Sequence, residues 1–156
     1  MITMREAVAA DAAAVRALTR EAYTKWVAVT GREPLPMRVD YVEALAKHRF
    51  DLLHEDGVLV ALIETERNPD HLLIVNVAVA PGHQKRGLGR RLLAHAETLA
   101  REDSLDVVRL YTNARMVENI ALYESLGYRI DREEPAGTSV QVHMSKMLAS
   151  QISASP

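Results

Sequence analysis

The residues most able to do chemistry stand together at 84–91, where Gln84-Lys85-Arg86-Gly87-Leu88-Gly89 runs into Arg90 and Arg91. Four of the seven residues from Lys85 to Arg91 are basic, and two glycines sit among them. A glycine loop that opens a helix presents backbone N–H groups and a partial positive charge, which is what a phosphate oxygen needs. An ATPase-type loop would need Gly-Lys followed by Ser or Thr, but Gly87 precedes Leu88 and Gly89 precedes Arg90. A dinucleotide fingerprint would need a small residue three places after the second glycine, and that place holds Leu92. What survives is a phosphate loop of another kind, or else a tight turn beside a solvated basic face.

The surrounding periodicities say what must position this loop. "HLLIVNVAVAP" is almost continuously apolar, which predicts a central strand buried on both faces and ended by Pro81. From Gly87 onward Leu88, Leu92, Ala96, Leu99 and Ala100 recur at helical spacing, so the order is strand, glycine loop, helix. "VVRLYTN" follows as a strand, and the crossover makes it parallel to the first. "ENIALYESLGY" predicts a short helix stopped by Gly127, and "SVQVHMSKM" a strand that closes the sheet.

Upstream, Asp11 is placed to cap a helix whose apolar positions are Val15, Leu18, Ala22 and Trp26. "TGREPLPM" interrupts it, and a second helix beginning near Pro36 turns Met37, Tyr41 and Leu45 to the core. "FDLLH", the turn "EDG" and "VLVALIETE" read as an antiparallel hairpin. The elements predict one α/β domain over 1–148, with a loose tail over 149–156.

Composition narrows the function classes. Lysine plus arginine number 19 against 21 acidic residues, a net charge of -2, which gives no reason to expect nucleic acid or an anionic membrane as partner. The absence of cysteine removes disulfides, thiolate metal sites and a catalytic thiol together. Without a signal-like start or a long apolar run, a cytoplasmic protein is expected, and no metal.

Gln84-Lys85-Arg86-Gly87-Leu88-Gly89 after Val79-Ala80-Pro81 resembles the acyl-CoA-binding motif of the GNAT superfamily of N-acetyltransferases, Gln/Arg-x-x-Gly-x-Gly/Ala. "NIALYESLGY" is similar to the second signature of that superfamily, a helix of the form Ala-x-x-Leu-Tyr-x-x-x-Gly-Phe/Tyr. The resemblance implies a mixed, mostly antiparallel central sheet with a splayed parallel strand pair and flanking helices. It implies an acetyl-CoA-dependent N-acetyltransferase whose acceptor is a primary amine on a small molecule or peptide. Whether the chain forms a homodimer stays open. A non-catalytic acyl-CoA-binding module is the alternative.

Carried onto this chain, the resemblance has the loop from Gln84 through Lys85, Arg86, Gly87, Leu88, Gly89 and Arg90 hold the pyrophosphate. The backbone of Val77, Ala78 and Val79 lies along the pantetheine arm, and Lys85, Arg86, Arg90 and Arg91 are available to the 3′-phosphate. Tyr123 occupies the position whose hydroxyl protonates the leaving thiolate in many members, although it also suits a core-facing stripe. An asparagine that bonds pantetheine in many members is replaced by Met116, and Asn119, one turn before Tyr123, is the nearest substitute or a helix-start residue.

The base is the gap in this reading. The two strand positions that carry a glutamate in different members fall at Tyr111 and in Ile74-Val75-Asn76, so neither carboxylate is present. Asn76 is able to hold a relaying water but not to act as a base. Glu64, Glu66, His71 and His143 are looser alternatives. On the acceptor side the resemblance points to Tyr23–Tyr41, with Trp26, Arg32 and Met37, and to Tyr111. Trp26 and Tyr41 are equally readable as core anchors.

Overall fold

The computed structural model describes residues 1–149. Of the expected tail, everything after Ala149 lies outside the described residues. The elements are β1 (Ile2–Glu6), α1 (Ala12–Thr30), α2 (Tyr41–Lys47), β2 (Arg49–Glu55), β3 (Val58–Arg67), β4 (Leu72–Val79), α3 (Leu88–Glu102), β5 (Val107–Asn113), α4 (Val117–Ser125), β6 (Arg129–Ala136) and β7 (Ser139–Met147). Short 3-10 turns cover Ala9–Asp11, Leu35–Met37 and Pro81–His83. The strands form a seven-stranded sheet in the order β1-β2-β3-β4-β5-β7-β6. Pairs β1–β2, β2–β3, β5–β7 and β6–β7 are antiparallel, and β4–β5 is parallel. The described residues divide into two compact units, one of Met1–Glu66 with Val75–Ala94 and one of Arg67–Ile74 with 95–149.

In the first unit the hairpin β2–β3 turns through Asp56 and Gly57, both left-handed at φ 50° and 85°, the conformation that a two-residue hairpin turn requires. Strand β1, which the sequence reading did not include, pairs along β2 from Ile2↔Glu55 to Glu6↔Asp51. Helix α1 turns Val15, Leu18, Thr19, Ala22 and Trp26 inward, as its spacing predicts, and ends at Gly31, whose φ of 84° permits the left-handed stop. Val15, Leu18, Ala22, Tyr41, Ala44, Phe50, Leu52, Leu62 and Ala78 form one buried cluster. Each larger side chain among them contributes about 1.5–3 kcal/mol by leaving water.

Two helix starts and the burial of β4 differ from expectation. Asp11 makes no cap bond to α1; its carboxylate accepts from the Val8 N–H at 2.8 Å and pairs with Arg5, because the chain turns before the helix begins. The second helix starts at Tyr41 rather than near Pro36, since Asp40 caps it by accepting from the N–H groups of Val42 and Glu43. Strand β4 is not buried on both faces but alternates, with Leu72, Ile74, Asn76 and Ala78 buried and the residues between them half-buried.

In the second unit the parallel register of β4 with β5 runs from Leu72↔Val108 to Ile74↔Leu110, while β4 continues to Val79 and β5 to Asn113. Strand β7 places Val142 and Met144 in the core, opposite Thr112 and Leu110. It does not close the sheet. Strand β6 pairs on its other side and forms the edge, carrying Arg129, Asp131, Arg132, Glu133 and Glu134, the charged dress by which edge strands avoid further pairing.

Candidate functional site

The glycine loop is built as the sequence order suggests. Ala80 still donates its N–H to the Val60 carbonyl at 2.8 Å, so pairing persists to the threshold of the loop. Pro81–His83 then makes one 3-10 turn, and α3 begins at Leu88, whose buried side chain anchors the helix start. Within the loop Gln84 is the fastening residue. Its amide nitrogen donates to the Val79 carbonyl at 3.1 Å, and its amide oxygen accepts from Lys25 Nζ at 3.0 Å.

Lys85 and Gly87 are both left-handed, at φ 62° and 82°. Left-handed residues thus stand on either side of Arg86, and turns that combine such residues with right-handed ones make N–H concavities that receive an oxyanion. The Gly87 carbonyl accepts from the Arg91 N–H at 3.0 Å and so begins the helix. A Cβ built on Gly87 or Gly89 would meet nothing within 4 Å. No neighbour in this chain therefore demands glycine at either position; at Gly87 the backbone angle does, and above both there is open space for a ligand to approach the backbone. The loop fits a pyrophosphate on that ground.

The basic residues divide. Arg86 is committed to Glu55, with nitrogen–oxygen distances of 2.7 and 3.4 Å, and its hydrogen bonds hold the Glu55 carboxyl below the ordinary carboxylate range. Lys85 and Arg91 are exposed at the loop and the first turn of α3.

Strand β4 meets α1 through polar contacts. Asn76, 3% exposed, accepts from the Tyr23 hydroxyl at 2.8 Å and donates to Thr19 Oγ1 at 3.4 Å. Tyr23 also reaches the Val77 carbonyl at 3.3 Å, and Ala78 is buried in the core cluster. The Asn76 amide thus docks the helix on the strand.

The same unit holds a group that sequence reasoning assembled only in part. Glu64 is 3% exposed, and His48 Nδ1 lies 2.7 Å from its Oε2. The other ring nitrogen of His48 lies 2.7 Å from Glu66 Oε2. Burial pushes the Glu64 carboxyl above its ordinary range, against the pull of the His48 hydrogen bond. Glu64 and Glu66 were candidates; His48 was not, and no local pattern ties it to residues 16 positions away.

Among the acceptor-side candidates, Trp26 and Met37 are 7% and 5% exposed, which makes both core anchors. Arg20 bonds the Met37 carbonyl at 2.6 Å and Glu33 at 2.8 Å, fixing the segment after α1, and Arg32 projects from it exposed.

In the second unit, Tyr123 is half-buried on α4, with its ring edge-on to Tyr128 at 6.0 Å. Burial pushes its hydroxyl up to about 12. Asn119 sits one turn earlier, and its amide donates to Met116 Sδ at 3.8 Å. Tyr111 stands opposite His143 in the β5–β7 register, ring centroids 5.7 Å apart. His143 lies 3.5 Å from Glu134, and His71 lies 2.6 Å from Asp70.

Residues 13–128 match the family model described as the acetyltransferase (GNAT) family. The [ribosomal protein bS18]-alanine N-acetyltransferase of Escherichia coli K12 is 36% identical over 76 residues, 49% of this chain and 51% of the relative. The chain thus aligns with about half the length of the curated relatives it matches. Among solved structures, the PaiA N-acetyltransferase of Thermoplasma acidophilum, in complex with coenzyme A, superposes with a TM-score of 0.80 at 17% identity, covering 94% of this chain and 99% of that one. The E. coli ribosomal-protein-S18-alanine N-acetyltransferase gives 0.77 at 22% identity, covering 96% of each. At these identities the structural likeness shows the fold.

Proposed function

Since this chain belongs to the acetyltransferase (GNAT) family, we propose that it moves an acetyl group from acetyl-coenzyme A to a primary amine. The observation that carries the reading is the loop itself: Gln84 fastened to Val79, left-handed backbone at Lys85 and Gly87, and open space above both glycines. Coenzyme A supplies an activated acyl thioester. The protein's part is to hold it and to manage charge and protons. Loop N–H groups from Lys85 to Arg90 receive the pyrophosphate, with Lys85 and Arg91 adding charge for the 3′-phosphate. The backbone of Val77, Ala78 and Val79 lies along the pantetheine arm, and a main-chain N–H there steadies the oxygen that gains negative charge during transfer. Asn119 bonds the arm, and Tyr123 gives its proton to the departing sulfur. Asn76 acts by holding α1 in place through Tyr23 and Thr19 rather than by touching the acceptor.

The acceptor is an amine on a small molecule or a peptide end. The bS18-alanine relative acts, by its name, on an alanine of a ribosomal protein, which supports the peptide case. Arg32 and Tyr111 are the proposed acceptor contacts, and Trp26 and Met37 shape the segment that carries Arg32. Among the described residues no helix is long and apolar enough to cross a membrane, in keeping with a cytoplasmic setting.

Two measurements test this. Melting with coenzyme A at a hundred times its dissociation constant should raise stability by about 2.7 kcal/mol. Thiol release from acetyl-CoA with a panel of amines and N-terminal peptides should find an acceptor. Binding without release for any amine would favour the non-catalytic module, and no binding would overturn the acyl-CoA reading.

A further inference from the structure

Acylating an amine that begins as R–NH3+ requires that it first lose a proton. The nitrogen lone pair then forms the C–N bond, the C–S bond breaks, and the second nitrogen proton is balanced by the one the sulfur takes. One proton therefore leaves the site in each turnover. Neither Asn76 nor Tyr111 is a carboxylate, so the two strand positions considered for a base leave that proton without an acceptor.

Two carboxylates are buried among the described residues, Asp51 and Glu64. Asp51 is held by the Arg49 guanidinium at 2.9 and 3.1 Å, a partner that does not titrate. The partner of Glu64 is an imidazole whose second ring nitrogen reaches a further carboxylate, that of Glu66. Resting on the acetyl-transfer reading above, we propose that Glu64, His48 and Glu66 form a proton relay that carries the proton of the acceptor ammonium from the buried side of the first unit to its surface.

The exposure of the three side chains rises along the route, from 4% at Glu64 to 21% at His48 and 38% at Glu66, and both links are 2.7 Å. A proton on one ring nitrogen leaves as another arrives on the opposite one, so the imidazole passes charge without moving. The inner end is in the same compact unit as the polar contacts of α1. Tyr41 lies within reach of the Glu64 charge, and beside it Asn76 donates to Thr19 and accepts from Tyr23, whose hydroxyl also reaches the Val77 carbonyl. Tyr41 itself donates to the Pro36 carbonyl at 2.6 Å, and burial pushes its hydroxyl up to about 12, so it stays protonated and is not the sink. The titratable groups facing the cluster are thus His48 from the start of β2, Glu64 and Glu66 from β3, and Tyr41 from α2.

The test is the pH profile of kcat/KM for an alkylamine acceptor found by the panel, in the unmutated protein, His48→Gln and Glu66→Gln. The relay predicts a loss of at least about tenfold for His48→Gln near pH 7, toward the range of a positioned acid or base. The loss should shrink as pH rises past about 10.4, above which most of an alkylamine is neutral in solution and has no proton to shed. Glu66→Gln, on the surface and safe for folding, should show a smaller loss of the same form and decides the matter if His48→Gln does not fold. A loss equal at every pH marks a structural role and overturns the relay, as do variants that match the unmutated protein. An unmutated protein that binds coenzyme A but acetylates nothing overturns instead the transfer reading on which the relay rests.

Discussion

The Gln84 side-chain amide donates to the Val79 carbonyl at 3.1 Å, so the residue that opens the glycine loop is bonded back to the last residue of the strand that feeds it. The loop is therefore held in its curled form before any ligand arrives. Gln84→Ala removes this bond and the one from Lys25. A hydrogen bond of this kind is worth about 0.5–1.5 kcal/mol, so coenzyme A affinity should weaken by about twofold to thirteenfold in calorimetry. Unchanged affinity would show that the loop holds its shape without Gln84.

The two glycines should separate strain from ligand clearance. Gly87 is left-handed and has no crowding, so Gly87→Ala should cost about 1 kcal/mol of stability from backbone strain alone. Gly89 has no left-handed angle and equally open space, so Gly89→Ala should leave the melting temperature nearly unchanged. If the loop N–H groups close on a pyrophosphate, both variants lose coenzyme A affinity. A Gly89→Ala protein that binds as before would move the phosphate elsewhere.

Discrimination between coenzyme A and its 3′-dephospho form should depend on Lys85 and Arg91 more than on Arg86. Arg86 already faces Glu55 at 2.7 Å, and moving it to a phosphate would strip that carboxylate of its partner. The preference should shrink on raising salt from 0.05 to about 0.5 M, since exposed charges are screened over roughly 10 Å or less. Arg86→Ala abolishing the preference would reverse this assignment.

Burial pushes the Tyr123 hydroxyl up to about 12, so it remains a proton donor across the working range. Tyr123→Phe should lower kcat by about a hundredfold to ten-thousandfold while coenzyme A affinity stays nearly constant. The unmutated pH profile should show no alkaline fall near 10, where an ordinary tyrosine ionises. Full turnover in the Phe variant would remove Tyr123 from the reaction.

Asp11 provides a pH signature of folding. Its bonds to Arg5 and the Val8 N–H lower its carboxyl from 3.8 to about 2 in the folded chain. A depressed folded value means that the stabilisation is present above about 3.8 and disappears as pH falls toward 2. Asp11→Ala should therefore cost about 1 kcal/mol at neutral pH, the ordinary net worth of a hydrogen bond. That difference should close on acidification, as read by urea unfolding at stepped pH. A constant difference across that window would place its origin in packing.

What the sequence determines alone is written between near neighbours. The spacing of Val15, Leu18, Ala22 and Trp26, the run of β4, the glycines of the loop and the helix of Tyr123 were all legible, because helical and strand periods depend on residues a few places apart. Strands β1 and β6 were not, since "ITMRE" and "RIDREEPA" carry little apolar alternation and owe their form to the partners beside them. The start of α2 went astray because Pro36 and Asp40 are both ordinary helix openers, and only the folded chain chose Asp40. Partnerships across the fold lay further out of reach. Arg86 meets Glu55 across 31 positions, Tyr23 meets Asn76 across 53, and His48 meets Glu64 across 16. Which side chains share a face at such distances depends on strand register and helix docking, and a shift of one residue in register sends every side chain of a strand to the opposite face. Tertiary structure alone therefore decided that Arg86 is spoken for, that Asn76 docks a helix, and that a buried glutamate and a histidine stand within a hydrogen bond of each other.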